Sequence, residues 1–540
     1  MTQADLVADI IIVGGGFGGC YALEKLRRHG YPVKLLEAGS DFGGVWHFNR
    51  YPGARVDSET PVYQLSVPLA WRSFNFRERY PGHSELRAYF MHIAQALDLR
   101  KDAIFNAKVV EAKYNSASST WHFRTQGGLS AESRYAIFAA GTTNKPHIPN
   151  FPGLDKFTGR LIHPAAWPDD LNVKGKRVGL VGQGASGVQL VQELAKDDCQ
   201  LTVFVRTPCT AFPMGQRTLP IAESEGMKNM YDALFMHAKY RSDSGYPYNS
   251  CNLSFYEATE EQRKQQYEEL WARAGFSILS SNYGEYAFDK TANAELYQFW
   301  ASKVRSRMSD PIKRDIVAPV EQFQWLGGKR AGLEMDYYEM LDRPNVKLVD
   351  LKQTPIKEFT SGGVVTGGQS STELHDFDIV IVATGYDSVT GSLYEMNIED
   401  KNGRKLQEKW KDGIHTYLGM MVPDVPNAFI LYGPQAPTAN ANGPPFLELQ
   451  VEWVAKLLDK ARQEDVKTVE PSSSAASEWR EKVMQAYSKT FARETPSWWN
   501  GSNIPGKNKE PLLWFGGMRS WWQHCLTGLE SWSSFCLEKV

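Results

Sequence analysis

No Cys-x-x-Cys pair occurs in the 540 residues, and the six cysteines, Cys20, Cys199, Cys209, Cys251, Cys525 and Cys536, are scattered singly. That spacing excludes a dithiol redox pair and a zinc knuckle, argues against a disulfide framework and fits a reducing compartment. Runs of 18 or more apolar residues are missing, so no membrane-spanning helix is expected. Residues 1–9 carry acids and lead straight into an apolar segment, without the layout of a signal peptide. Cys536 stands fifth from the end, one place off the prenylation position. Charge of one sign is lacking too, since 60 Lys and Arg face 62 Asp and Glu. That balance leaves neither a nucleic-acid footprint nor a polybasic membrane patch. The expectation is a cytoplasmic protein with no nucleic-acid or membrane partner.

What is present begins with length. A chain of 540 residues exceeds one compact core and suggests three or four domain-sized units. Residues 9–13 form a short apolar run, followed by Gly14-Gly15-Gly16-Phe17-Gly18-Gly19. Ala22, Leu23 and Leu26 then fall on one helical face that stops at Gly30, and a second apolar run, 33–36, ends in Glu37. This is strand, tight turn, helix, strand. The same unit returns about 170 residues later. Residues 178–181 are a buried-type strand, Gly182-Gln183-Gly184-Ala185-Ser186-Gly187 is the turn, and 201–205 is the next strand, ending in Arg206. The fold class is therefore α/β, with two Rossmann-like dinucleotide-binding domains. Between about 215 and 325 the texture turns to helical spacing, as in 260–274 and 294–308, which reads as a helical insertion. Further helices are expected over 446–460 and 476–491, with 472–474 as a polar break.

A G-x-G-x-x-G turn cradles pyrophosphate through backbone geometry and a helix N-terminus. Alone the motif is weak, but both copies sit between a strand and a helix, the context that gives it meaning. Gly14, Gly16 and Gly19 form the first cradle, and Gln183, Gly184, Ala185, Ser186 and Gly187 the second. Glu37 lies 18 residues after Gly19. An acid there accepts hydrogen bonds from ribose hydroxyls and repels a 2′-phosphate, which suits the adenosine of FAD. Arg206 lies 19 residues after Gly187, with Thr207 beside it. A cation there pairs with the 2′-phosphate of NADPH. The plainer reading of Arg206 is a strand end in solvent. A flavin site and a reductant site together imply hydride transfer from NADPH to FAD, with the protein supplying position and electrostatics.

The stretch Phe157-Thr158-Gly159-Arg160-Leu161-Ile162-His163-Pro164-Ala165-Ala166-Trp167-Pro168 resembles the fingerprint of the type I Baeyer–Villiger monooxygenases, F-x-G-x-x-x-H-x-x-x-W-P/D, and stands just before the second glycine turn as in that family. Residues 43–57, with Gly44, Trp46, Tyr51-Pro52-Gly53 and Asp57, resemble its G-x-W-x-x-x-x-Y-P-G-x-x-x-D segment. Ala383-Thr384-Gly385, the pair Lys329-Arg330 and the run from Ser497-Trp498-Trp499 to Lys507 match further. The resemblance covers nearly the whole chain. Pro164, where many members have Thr, departs from the pattern at a variable position, and residues 521–540 match nothing.

The resemblance implies FAD and NADPH as cofactors, a ketone and O2 as small-molecule partners, and an ester or lactone as product through a C4a-peroxyflavin. It also implies some capacity for sulfoxidation and a monomer or weak homo-oligomer. It implies an FAD-binding domain over 1–145 and 385–540, an NADP-binding domain over 146–214 and 330–384, and a helical insertion over 215–329. Arg330 resembles the active-site arginine and Asp57 the carboxylate that orients it. A fixed cation holds a peroxy anion unprotonated, and arginine keeps its charge. Lys329 resembles a helper for the 2′-phosphate, Trp498 a loop residue that folds over NADP, and His163 a hinge. Val45, Trp46, Arg55, Tyr63 and Val109 join the cofactor-binding set. Each has a bland alternative: Asp57 as a cap, Lys329-Arg330 as a solvated loop pair, Trp46 and Trp498 as core rings, His163 as a structural histidine. Their joint spacing weighs against those. A flavin-dependent N- or S-monooxygenase is the competing enzyme, disfavoured by Trp167-Pro168. A flavin disulfide reductase is disfavoured by the missing Cys-x-x-Cys, and a redox sensor without organic substrate would turn all its NADPH into hydrogen peroxide.

Overall fold

A computed structural model describes residues 4–368 and 372–540, so the first three residues of the acidic N-terminal segment lie outside it. Two parallel-cored sheets organise the chain. In the first, Leu6–Val13 lies between Val33–Leu36 and Ser130–Phe138, parallel to both. Ile10, Ile11 and Ile12 are fully buried, as expected of a strand covered on both faces. Val109–Asn115 and Thr120–Thr125 extend this sheet antiparallel, while Ala103–Ile104, Ile398–Glu399 and Ala428–Ile430 join it in parallel. The C-terminal half of the chain thus returns to the N-terminal sheet. The second sheet is all parallel, in the order Val346–Asp350, Gln200–Val205, Arg177–Val181, Ile379–Val382, Arg160–Ile162. The family-like stretch around His163 supplies its edge strand.

Register sets up both glycine turns. Val13 pairs with Leu36, so the turn at Gly14 opens beside Glu37. Val181 pairs with Phe204, which brings the turn at Gly182 beside the strand end that carries Arg206. Gly14 and Gly182 take φ of +109° and +113°, and a Cβ at either would strike the carbonyl oxygen of Ala139 or Ala383 at 2.5 and 2.3 Å. Only glycine fits there.

Helices fill the middle of the chain, chiefly Tyr231–Tyr240, Glu260–Arg273, Lys290–Arg305 and Pro311–Val317. The short strands Ala211–Pro213 and Gly332–Glu334 pair in parallel and tie the two ends of this segment together. Helix starts follow local chemistry. Thr259 and Gln262 form a capping box, and Asp289 accepts from Ala292 N, which starts the next helix at Lys290, earlier than its apolar spacing suggests. Ser472 corrects the reading of 472–474 as a break: its side chain accepts from Ala475 N and caps Ser473–Ser488. The unmatched tail is also ordered. Met518–Glu530 packs on Gly443–Gln463, with Trp453 donating to the Cys525 carbonyl at 2.8 Å, and Phe535–Lys539 pairs with Val466–Pro471. Cys20, Cys199, Cys209, Cys251, Cys525 and Cys536 are all free thiols. Among the described residues no helix is long and apolar enough to cross a membrane.

Candidate active site

One cavity of about 1500 Å³ runs from the first glycine turn to the second. From the N-terminal part, Gly14, Gly16, Glu37, Val45, Trp46, Arg55, Asp57, Tyr63 and Val109 line it. From the rest, Gln183, Gly184, Ala185, Ser186, Arg206, Thr207, Lys329, Arg330 and Trp498 line it. Gly19 and Gly187 do not line it. Both are needed for packing. A Cβ at Gly19 would fall 1.8 Å from the Gly14 carbonyl oxygen, and one at Gly187 2.2 Å from that of Gly182. The third glycine lets helix and strand approach.

At the first turn, Glu37 is 3% exposed and accepts from the backbone N–H groups of Gly15 and Gly39. Burial raises its carboxyl above the ordinary range, against the pull of those amides. Trp46 donates through Nε1 to the Tyr63 hydroxyl at 3.0 Å, fixing two aromatic walls. Arg55 donates to the Tyr80 carbonyl at 2.9 Å, and its own carbonyl accepts from Gln189 at 2.9 Å. Gln189 also accepts from the Tyr51 hydroxyl at 2.7 Å, and that hydroxyl accepts from Ser186 at 3.0 Å. The helix that follows the second turn is thereby bolted to the segment 51–57.

At the second turn, a Cβ on Gly184 would meet nothing within 4 Å, so it would project into the cavity. This is the space a phosphate needs for close approach to the backbone. Arg206 and Thr207 are exposed at its rim. Burial and the Arg206 cation lower the Lys329 ammonium below its ordinary range, with Cys209 opposing. Two cations thus share one end of the cavity, a setting built for an anion. The donor sets fit two dinucleotides: an acid at a ribose position in the first, cations at a phosphate position in the second.

Between the turns stands an ion pair. Arg330 donates through Nε to Asp57 Oδ2 at 2.7 Å and through Nη2 to Oδ1 at 2.8 Å, a two-pronged contact across 273 positions of sequence. Its guanidinium lies 4.8 Å from the Phe276 ring centroid, and Nη1 donates to the Ala439 carbonyl at 2.6 Å. Burial opposes the charge, but Asp57 more than offsets it, and the guanidinium is held well above its ordinary range. Asp57 is a partner in an ion pair, not a helix cap.

A family model described as flavin-binding monooxygenase-like matches residues 7–217. Cyclopentanone 1,2-monooxygenase of Comamonas sp. is 37% identical over 93% of this chain and 91% of its own length. The chain belongs to the Baeyer–Villiger monooxygenase family. Phenazine N-monooxygenase PhzNO1 of Lysobacter antibioticus is 33% identical over 94% of this chain and 93% of its own. Cyclohexanone monooxygenase from Rhodococcus sp. Phi1, solved with NADP+ bound, superposes with a TM-score of 0.94 at 32% identity, covering 99% of this chain and 100% of that one.

In this flavoprotein monooxygenase the fingerprint histidine sits at a seam. His163 Nδ1 accepts from Ala165 N at 3.1 Å and Nε2 meets the Gly385 carbonyl at 3.0 Å, where the chain leaves the second sheet for the first. Burial lowers its pKa, and both contacts suit the neutral ring. The Trp498 loop is pinned by Asn500, which donates to the carbonyls of Ala492 and Thr495, and by Asn503, which donates to that of Tyr386. Sequence reasoning missed Tyr432 and Ala439, which line the cavity beside Arg330. Their loop carries only the signal Gly433-Pro434 and Pro437, which marks a turn but not what it faces.

Proposed function

We propose that this Baeyer–Villiger family member oxygenates ketones: ketone, NADPH, H⁺ and O2 give an ester or lactone, NADP⁺ and water. The observation that carries the reading is the Asp57–Arg330 pair on the wall of the cavity that joins the two glycine turns. FAD, held by Gly14, Gly16 and Glu37, supplies hydride acceptance and oxygen activation when bound. NADPH is held by Gly184, Ser186, Arg206 and Lys329. Residues 1–145 with 385–540 serve the flavin, 146–214 with 330–384 serve NADPH, and 215–329 form the helical insertion. The chain works in the cytoplasm as a monomer or weak homo-oligomer.

Arg330 places a permanent cation where negative charge on oxygen must be held without a proton. Asp57 fixes its direction with two hydrogen bonds, and the pair keeps the cation from turning into solvent. Tyr63 and Trp46, hydrogen-bonded to each other, would wall the flavin side of the cavity.

N- or S-oxygenation in the same site is the second reading, favoured by the likeness to a phenazine N-monooxygenase. Products from a panel of linear, cyclic and aryl ketones, a thioether and an aromatic N-heterocycle separate the two. Ester from at least one ketone is expected; sulfoxide or N-oxide with no ester from any ketone would sink the proposal. Arg330→Ala is expected to leave NADPH-driven flavin reduction intact and to abolish ester formation. A normal ester yield from that variant removes Arg330 from the chemistry.

A further inference from the structure

Beside Arg330 the cavity wall holds a second polar group with an unused proton. Tyr432 follows the buried strand Ala428–Ile430 and lines the cavity with Arg330 and Ala439. Its hydroxyl oxygen accepts the N–H of Ala439 at 3.2 Å. Arg330 donates to the carbonyl oxygen of the same Ala439. One residue therefore anchors both groups, the phenol on its N–H and the guanidinium on its carbonyl. Burial pushes the Tyr432 phenol up and the nearby Arg330 cation pulls it back, with a net rise. The O–H is thus intact at neutral pH. Among the described residues nothing accepts its proton, and the half-buried hydroxyl is left to face the cavity.

The backbone points the same way. Tyr432, Gln435 and Ala439 take φ of +58°, +66° and +61°, three left-handed non-glycine residues in one short loop. Such conformations are costly for non-glycine residues and persist where the surroundings over-determine them. Here Tyr432 N donates to Gln450 at 2.8 Å, Gln435 donates to the Ile414 carbonyl at 2.8 Å, and Thr438 donates to the Gly433 carbonyl at 2.7 Å. The loop is held strained and rigid, with the phenol at its start facing the cavity.

We propose that Tyr432 is a catalytic residue whose O–H donates a hydrogen bond to the carbonyl oxygen of the ketone. The proposal rests on the ketone-oxygenating reading above. Arg330 commits three of its five N–H donors to Asp57 and Ala439. A separate donor for the ketone leaves the remaining two for other oxygens. The carbonyl oxygen gains negative charge when its carbon is attacked, so a donor aimed at it strengthens toward the transition state.

The test uses Tyr432→Phe in the FAD-loaded enzyme with NADP⁺. Two dissociation constants are measured without turnover, for the best-converted ketone of the panel, cyclohexanone first, and for the analogue with CH2 in place of the carbonyl oxygen. Ketone affinity is expected to fall roughly tenfold, the loss of one buried hydrogen bond, with the methylene analogue unchanged. The kcat for ester is expected to fall further than the affinity. Equal changes for both ligands would assign Tyr432 to shape alone, and no change would remove it; either overturns the proposal. If Tyr432→Phe fails to fold, 3-fluorotyrosine at position 432 keeps the shape and sharpens the acid: tighter ketone binding that is lost at higher pH than neutral, where the phenol gives up its proton, supports the proposal, and identical binding overturns it. Absence of ester from every ketone with the wild-type enzyme is a different failure, that of the reaction assigned above.

Discussion

At the first glycine turn the residue that ends the neighbouring strand is an acid, buried and already hydrogen-bonded to two backbone amides; at the second it is a cation at an exposed rim. The turns share their glycines, their φ values and their register, so the difference lies in what completes them. Glu37 is part of the fold whether or not a ribose is present. Among the described residues Arg206 has no ion-pair partner, and its proposed partner is the 2′-phosphate. The first acid is therefore built into the core and the second charge stands at the rim, the contrast the proposed flavin and NADPH sites call for.

Alanine at two glycines breaks that comparison most sharply. Gly19→Ala drives a Cβ into the Gly14 carbonyl and is expected to cost about 3 kcal/mol or more, with the flavin lost on purification. Gly184→Ala has free space around it. It is expected to change stability by no more than about 0.5 kcal/mol and to weaken NADPH by roughly tenfold, the worth of one close backbone contact. Denaturant midpoints and flavin content check the first, NADPH titration the second. Equal destabilisation by both substitutions would mean that the third glycine is not a packing residue.

Arg206→Ala comes next. Loss of one charge-assisted contact is expected to reduce the preference for NADPH over NADH by about 1.5–3 kcal/mol, toward the lower figure because the side chain is exposed. The ratio of kcat/KM for the two reductants measures it. An unchanged ratio would move the reading of the 2′-phosphate to Lys329.

These contrasts also mark what the sequence could carry. Both turns were legible because each is local: strand, glycines, helix and a terminal charge all fall within about 30 residues, and backbone geometry allows few alternatives. Asp57 and Arg330 were legible only through resemblance, since 273 positions separate two residues that meet at 2.7 Å. Tyr432 and Ala439 escaped both routes. A left-handed tyrosine leaves no mark in composition, and a single aromatic after an apolar strand looks like core. Ser472–Ser474 misled in the other direction, because a serine that caps a helix and a serine that breaks one have the same letter, and only the hydrogen bond to Ala475 tells them apart.

The smallest expected effect concerns the seam between the two halves. His163 is held neutral: Nδ1 accepts from Ala165, Nε2 donates to Gly385, and burial lowers its pKa. An unfolded histidine titrates near about 6.5. Above that value both states are neutral, and His163 contributes nothing to pH dependence. Below it the unfolded chain takes up a proton that the folded chain refuses, so stability falls as pH drops until the depressed folded pKa is reached. Glutamine can accept and donate in the same two directions but does not titrate. Between pH 7.5 and 5.5 the wild-type denaturation midpoint is therefore expected to fall more than that of His163→Gln, by on the order of 1 kcal/mol or less. The other buried histidines act alike in both proteins and cancel in the difference. Parallel pH profiles would show that His163 takes up its proton in the folded seam, and that the joint between the flavin half and the NADPH half tolerates a charge.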